Sequence, residues 1–208
     1  GPLVALAPLL ASSIKPGGSL VLAGLLERQA DEVRSAYAPH FVFDADVSRE
    51  GWTRLAARCT RPALINALAL SPRLLTAGQP QRDHFAQLKQ DGYASVINLA
   101  MPSSPNYLGD EAALCAQQGL HYQPIPVPWE NPTHAQLEEF FRTMDALEGQ
   151  RVLVHCALNL RVSAFIFLWR VLRGGVSVKT AALDLHKIWQ PEPRWQEFIN
   201  QELRAAQE

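Results

Sequence analysis

Two hydrophobic periods alternate along this chain, and the switches between them outline its elements. Residues 73–77, 95–99 and 152–155 are short, nearly unbroken apolar runs of strand length, and 121–127 reads as a fourth strand. Between them the spacing turns helical. Segment 81–91 stops at Gly92, and 111–118 stops at Gly119. Thr133 followed by Gln136 is a capping box, and Leu137, Phe140, Phe141, Met144 and Leu147 recur behind it as a packing stripe. Segment 162–172 is apolar almost all round, as a helix buried inside a domain is, and Gly174 and Gly175 end it. Strands alternating with helices predict an α/β fold with a largely parallel central sheet covered on both faces. Catalytic loops of such sheets lie at the carboxyl ends of strands.

The first sixty residues follow a different order. Residues 2–14 have a helical apolar pattern, 15–18 form a turn, 19–26 a strand and 27–38 an amphipathic helix, and 41–47 and 52–58 a strand pair. That order suits the closing half of a Rossmann-like sheet. Two units are therefore expected, 1–60 and 61–208, with the boundary near residues 60–62. The chain opens on Gly1 rather than Met, so the first unit is expected to be a fragment, a fusion or a gene-model artefact.

Composition narrows the function classes. A 48 % hydrophobic, 19 % charged chain is ordinary for a globular protein, and a net charge of −1 argues against nonspecific nucleic-acid binding. Cys59, Cys115 and Cys156 form no metal-binding or redox spacing, so no metal and no cofactor is expected and the chain reads as reduced and cytoplasmic. The apolar run 165–172 is interrupted by Arg170 and too short to span a bilayer, so no membrane partner is expected. Oligomeric state is not encoded in any visible pattern.

The chemistry concentrates in Val152-Leu-Val-His-Cys-Ala-Leu-Asn-Leu-Arg-Val-Ser163. A strand delivers His155 and Cys156 to a short loop, Arg161 closes it, and the apolar helix follows. Loop amides, a helix N-terminus and a guanidinium fork together favour a dianionic phosphate at one point. The same positive field favours thiolate over thiol, which makes Cys156 a nucleophile candidate. Taken alone, a buried Cys is more often a small hydrophobe; the strand, loop and arginine together set the functional reading above the packing one.

These residues resemble the signature of cysteine-dependent protein tyrosine and dual-specificity phosphatases, in the small bacterial branch related to beta-lactamase-hydrolase-like phosphatases. The resemblance also takes in Leu70-Ser-Pro-Arg-Leu-Leu-Thr-Ala-Gly-Gln-Pro80, Val96-Ile-Asn-Leu99, Ile125-Pro-Val-Pro-Trp-Glu-Asn-Pro132 and Ile188-Trp-Gln-Pro191, and so covers about 62–208. It departs in the loop: Ala157, Leu158, Asn159 and Leu160 are four residues without a glycine where the family motif has five with one. The resemblance implies a phosphocysteine enzyme whose substrate is a phosphorylated protein or small phosphomonoester, with Cys156 and Arg161 catalytic and residues 157–160 holding phosphate. It places Gln79 close to the pocket, though a plain turn residue accounts for it equally.

A phosphatase also needs a general acid. Glu130, on the proline-bounded segment 127–132, is the candidate, and Asp110 is the alternative. Ser163 either donates to the cysteine or caps the helix, and His155 orders the loop from behind. Asn159 braces the loop through its amide. Rhodanese-type sulfurtransferases also place Arg five residues after Cys and need no acid, so sulfur transfer is the rival reading, and a phosphate-binding module without turnover is a third.

The first unit carries a second resemblance. Gly1-Pro-Leu, Ile14-Lys-Pro-Gly-Gly-Ser-Leu-Val-Leu-Ala-Gly-Leu-Leu26, Glu32-Val, Ala36-Tyr-Ala-Pro39 and Glu50-Gly-Trp-Thr-Arg-Leu55 resemble the C-terminal end of the methyltransferase that modifies a stalk-base protein of the large ribosomal subunit. The Gly-rich loop and acidic residue that hold S-adenosylmethionine in that family have no counterpart here, and Gly17 and Gly18 read as a turn. Methyl transfer by this segment alone is not expected.

Overall fold

The computed structural model describes residues 1–60 and 63–206. Arg61 and Pro62, on which the expected boundary falls, lie outside the described residues. The chain divides into two compact units, Gly1–Ala63 and Leu64–Glu208, each with its own core.

In the first unit the helical pattern of 2–14 forms two short helices, α1 (Pro2–Ala5) and α2 (Ala7–Ser13), instead of one. Pro8, in the first turn of the second helix, has no N–H to give the carbonyl four residues back, which separates them. Strand β1 (Ser19–Leu26) has the expected limits, and a short 3₁₀ turn then leads into α3 (Ala30–Tyr37). The expected strand 41–47 is broken. Its residues supply β2 (Phe41–Phe43) and the start of β3 (Val47–Arg49), which pair with opposite ends of β4 (Trp52–Cys59). The resulting sheet is wholly antiparallel, β1-β4-β2 with β3 also on β4. Leu20, Leu22, Val33, Tyr37 and Leu55 fill its core, while Val21, Val42 and Trp52 stay exposed.

The second unit is built on a five-stranded sheet ordered β5-β6-β9-β7-β8. Its strands are β5 (Leu68–Ser71), β6 (Leu74–Ala77), β7 (Ser95–Asn98), β8 (His121–Pro124) and β9 (Val152–His155). All neighbours are parallel except β5 on β6. Strand β5 was not legible in sequence, and β8 ends three residues before the expected 127. Helices α4 (Arg82–Gln90), α5 (Glu111–Gln117), α6 (His134–Ala146), α7 (Leu160–Leu172), α8 (Val178–Ile188) and α9 (Pro193–Ala205) complete the unit. The Thr133 and Gln136 side chains cap α6 reciprocally, as their spacing requires.

Strand β9 and helix α7 are the centre of this unit. All four residues of β9 are buried, and α7 is buried from Arg161 through Leu168. Phe165 on α7 lies 5.7 Å from Phe140, 6.3 Å from Trp195 and 5.9 Å from Phe198, ring centre to ring centre. Truncating such a ring to alanine costs about 3–5 kcal/mol, so the helix is anchored along its length. Both ends of the loop between β9 and α7 are therefore held by rigid elements.

Candidate active site

The loop begins where β9 ends. Its entry is pinned by the sheet, since the His155 carbonyl accepts from Leu99 N at 2.8 Å and Cys156 N donates to the Ala77 carbonyl at 3.3 Å. Cys156 is buried, with about 1 % of its surface accessible. Asn159 adopts the left-handed conformation (φ 69°, ψ 2°) and caps α7, which starts at Leu160. Arg161 thus sits in the first helical turn, not in the loop before it. The turn a glycine makes in a longer loop is made here by asparagine, one of the few residues that tolerate it. Its side chain fastens the conformation, with Nδ2 donating to the Asn66 carbonyl at 2.6 Å and to Thr76 Oγ1 at 3.0 Å.

The outer side of the loop is clasped by three other segments. Ala157 O accepts from Gln79 N at 3.1 Å and from Asn106 Nδ2 at 3.0 Å, and Leu158 O accepts from Asn66 Nδ2 at 3.0 Å. Gly78 runs so close that a Cβ added there would lie 2.9 Å from the Ala157 carbonyl and 2.9 Å from Ile65 Cβ. Only glycine fits this approach. By contrast, the peptide N–H groups of Ala157, Leu158, Leu160 and Arg161 meet no acceptor among the described residues. Arg161 is itself buried, and its Nε also has no partner. A buried donor left unpaired, as this Nε is, is costly and rare in native proteins. The four peptide N–H groups flank Asn159 at the N-terminus of a long helix, the arrangement that accepts an oxyanion.

Behind the loop lies a buried polar network. His155 Nε2 is 2.5 Å from Glu111 Oε1, and both side chains are enclosed. Glu111 Oε2 accepts from Gln79 Nε2 at 2.8 Å and from Asn98 Nδ2 at 3.3 Å. Asn98 in turn bonds Tyr122 and the Ala100 amide. Gln79 is therefore a buried member of this network, not a simple turn residue. Glu111, at the first position of α5, was not legible as functional, because a carboxylate in a first helical turn usually faces water. Burial together with nearby Glu111 pushes the Cys115 thiol up to about 12, which keeps it protonated and unreactive.

The remaining candidates are placed as follows. Ser163 Oγ donates to the Leu160 carbonyl at 2.8 Å and accepts from Trp189 Nε1 at 3.0 Å, so its proton is spent within α7 and not on the cysteine. Trp129 packs against Trp189 (5.4 Å) and Trp195 (5.1 Å), and the Arg161 guanidinium lies 5.5 Å from the centre of its ring. The segment that bears Glu130 is thus next to Arg161, but the Glu130 carboxylate is largely exposed and paired with Arg194. Asp110 is held by both Nη atoms of Arg82, at 2.7 and 2.8 Å, and this bonding keeps its carboxyl below the usual carboxylate range. Among the described residues no group of His, Cys, Asp and Glu could hold a metal ion. No helix among them is long and apolar enough to cross a membrane.

A putative phosphatase of the DUF442 group from Shewanella putrefaciens CN-32 matches this unit with a TM-score of 0.62 and 34 % identity, over 69 % of this chain and 94 % of that one. The chain belongs to the DUF442 family. The fold of its second unit is that of protein tyrosine phosphatases: TpbA of P. aeruginosa, in complex with pTyr, matches with a TM-score of 0.55 over 69 % of this chain and 91 % of that one at 18 % identity. Residues 1–60 match the family model for ribosomal protein L11 methyltransferase (PrmA). The corresponding methyltransferase of Pseudomonas aeruginosa (strain LESB58) is 53 % identical over 58 residues, 28 % of this chain. The chain spans about a fifth of the length of the curated methyltransferases it matches, 20 % in this case. This DUF442 chain thus joins a phosphatase-like unit to a methyltransferase-like segment.

Proposed function

We propose that the second unit is a cysteine-dependent phosphomonoesterase working through a phosphocysteine intermediate. The observation that carries this reading is the set of unspent donors in the loop between Cys156 and Arg161, four peptide N–H groups and the buried Arg161 Nε. Such preorganised donors stabilise charge on phosphoryl oxygens, where a single one is worth about 10²–10³ in rate. The Cys156 thiolate attacks phosphorus as the phosphorus–oxygen bond to the leaving group breaks, and a general acid protonates the departing oxygen. Water then attacks the phosphocysteine, releasing inorganic phosphate and the thiolate. Glu130 is the acid in this reading and must leave Arg194 to serve; Asp110, tied to Arg82, is the alternative. His155 and Glu111 hold the strand end that presents the thiol. Gln79, Asn159 and Ser163 position the loop and helix. The substrate is a phosphorylated protein or small phosphomonoester, in keeping with the pTyr bound by TpbA. The methyltransferase-like segment supplies no step.

The test is p-nitrophenyl phosphate hydrolysis in the presence of a chelator, by the whole chain and by Cys156→Ser, with sulfur transfer from thiosulfate to cyanide run in parallel. Vanadate-sensitive hydrolysis lost in the variant supports the reading. Sulfur transfer without hydrolysis replaces it with the rhodanese reaction, and binding of vanadate with neither activity leaves a phosphate-binding module.

A further inference from the structure

A short glycine-free loop has to solve a directional problem. In a trans peptide the carbonyl and the N–H of the same unit point to opposite sides. Whatever fixes the Ala157 carbonyl therefore also aims the Leu158 N–H, and whatever fixes the Leu158 carbonyl and the left-handed turn at Asn159 that follows it aims the Leu160 N–H. Neither carbonyl is held by the loop itself. Ala157 O is taken by Asn106 Nδ2 and the Gln79 amide, and Leu158 O by Asn66 Nδ2. The Asn66 carbonyl closes the circle by accepting from Asn159 Nδ2, the side chain of the one left-handed residue in the loop. Asn66 is itself at positive φ (46°), so its backbone is shaped to present donor and acceptor to the loop together.

We infer that Asn66 and Asn106 are positioning residues of the anion cradle: by holding two carbonyls on the outer side, and in the case of Asn66 also the turn at Asn159, they turn the Leu158 and Leu160 amides inward and set the affinity for tetrahedral oxyanions. Nothing local in the sequence marks them, since they stand far from the cysteine, 92 and 51 residues from the carbonyls they bind. They replace, from outside, the conformational guidance that glycine gives from within a longer loop. The inference deepens the proposed phosphatase reading, but it concerns oxyanion binding and is measurable without turnover.

The experiment is calorimetric titration of the intact chain with tungstate, for the wild type, Asn66→Ala, Asn106→Ala and Asn106→Leu, at a temperature where thermal melts show every variant folded. Each alanine variant is expected to bind roughly five- to tenfold more weakly, the worth of one net hydrogen bond. Asn106→Leu keeps the volume but cannot donate, and should be as weak as Asn106→Ala; recovery of wild-type affinity in the leucine variant means the side chain only fills space and overturns the inference. Unchanged affinity in the alanine variants overturns it, as does a wild type that binds no tungstate. A wild type that binds tungstate with the expected losses in the variants, yet hydrolyses no phosphomonoester, overturns the phosphatase reading and leaves the positioning role standing.

Discussion

Removing the carboxylate of Glu111 should destabilise the second unit far more than its helix-end position suggests. Glu111 is about 1 % exposed and takes hydrogen bonds from His155 Nε2, Gln79 Nε2 and Asn98 Nδ2. Glu111→Ala removes the acceptor of His155 Nε2 and Gln79 Nε2, at about 1–3 kcal/mol each, while Asn98 Nδ2 keeps Tyr122, so a loss of roughly 2–6 kcal/mol is expected. That is a large share of the ~5–15 kcal/mol that holds a domain together. Glu111→Gln keeps an acceptor for the two amides and loses mainly the charge-assisted contact with His155, so about 1–3 kcal/mol is expected. Urea unfolding followed by tryptophan fluorescence measures both, because four of the five tryptophans, Trp129, Trp169, Trp189 and Trp195, lie in this unit. With slopes of about 1–3 kcal/mol per molar, the alanine midpoint should fall by some 2 M relative to wild type. An alanine variant within 1 kcal/mol of wild type, or one as stable as the glutamine variant, refutes the reasoning.

Three further outcomes follow from the geometry. Gly78→Ala forces a methyl to 2.9 Å from the Ala157 carbonyl, and should cost about 1–3 kcal/mol in thermal or urea unfolding and weaken oxyanion binding as the loop is pushed inward. Arg161→Lys replaces a buried fork by a point charge, and kcat/KM for p-nitrophenyl phosphate should drop by about 10²–10³ with little change in melting temperature. The hydrogen bond that His134 Nδ1 donates to Glu202 Oε2 at 2.7 Å raises the pKa of His134 above its usual 6.5, so the α6–α9 contact it makes is fully stabilising below pH 6.5 and is lost as pH rises through the raised value. The melting-temperature deficit of His134→Gln should accordingly be largest in acid and vanish at alkaline pH; a deficit independent of pH contradicts that assignment.

Legibility in the sequence followed the range of the interactions. Strands β6, β7 and β9, the cap of α6 and the all-apolar α7 depend on neighbours a few residues away, and their periodicity shows in the linear pattern. The Cys156 to Arg161 spacing is local too. The supports are not: Glu111 meets His155 across 44 residues, and Asn66 meets Asn159 across 93. No window of sequence contains both partners of either pair, and Glu111 and Asn66 taken alone read as ordinary surface polar groups. The sheet order β5-β6-β9-β7-β8 hid β5 for a related reason, since its antiparallel pairing places it on the edge, where an apolar run is not needed. The breaks in the first unit, at Leu6 between α1 and α2 and at 44–46 between β2 and β3, are single-residue and turn effects inside patterns that otherwise continue.

Asn159 has a meaning for the unfolded chain as well as for the folded one. A glycine there would reach the left-handed conformation without strain, but it would also enlarge the set of conformations the loop must give up on folding, at a cost of roughly 0.5–1 kcal/mol. Asparagine accepts some local strain and narrows that set, and its amide then spends two hydrogen bonds keeping the loop in one state. An anion arriving at such a loop has little disorder left to remove, so most of its interaction energy is available for binding itself.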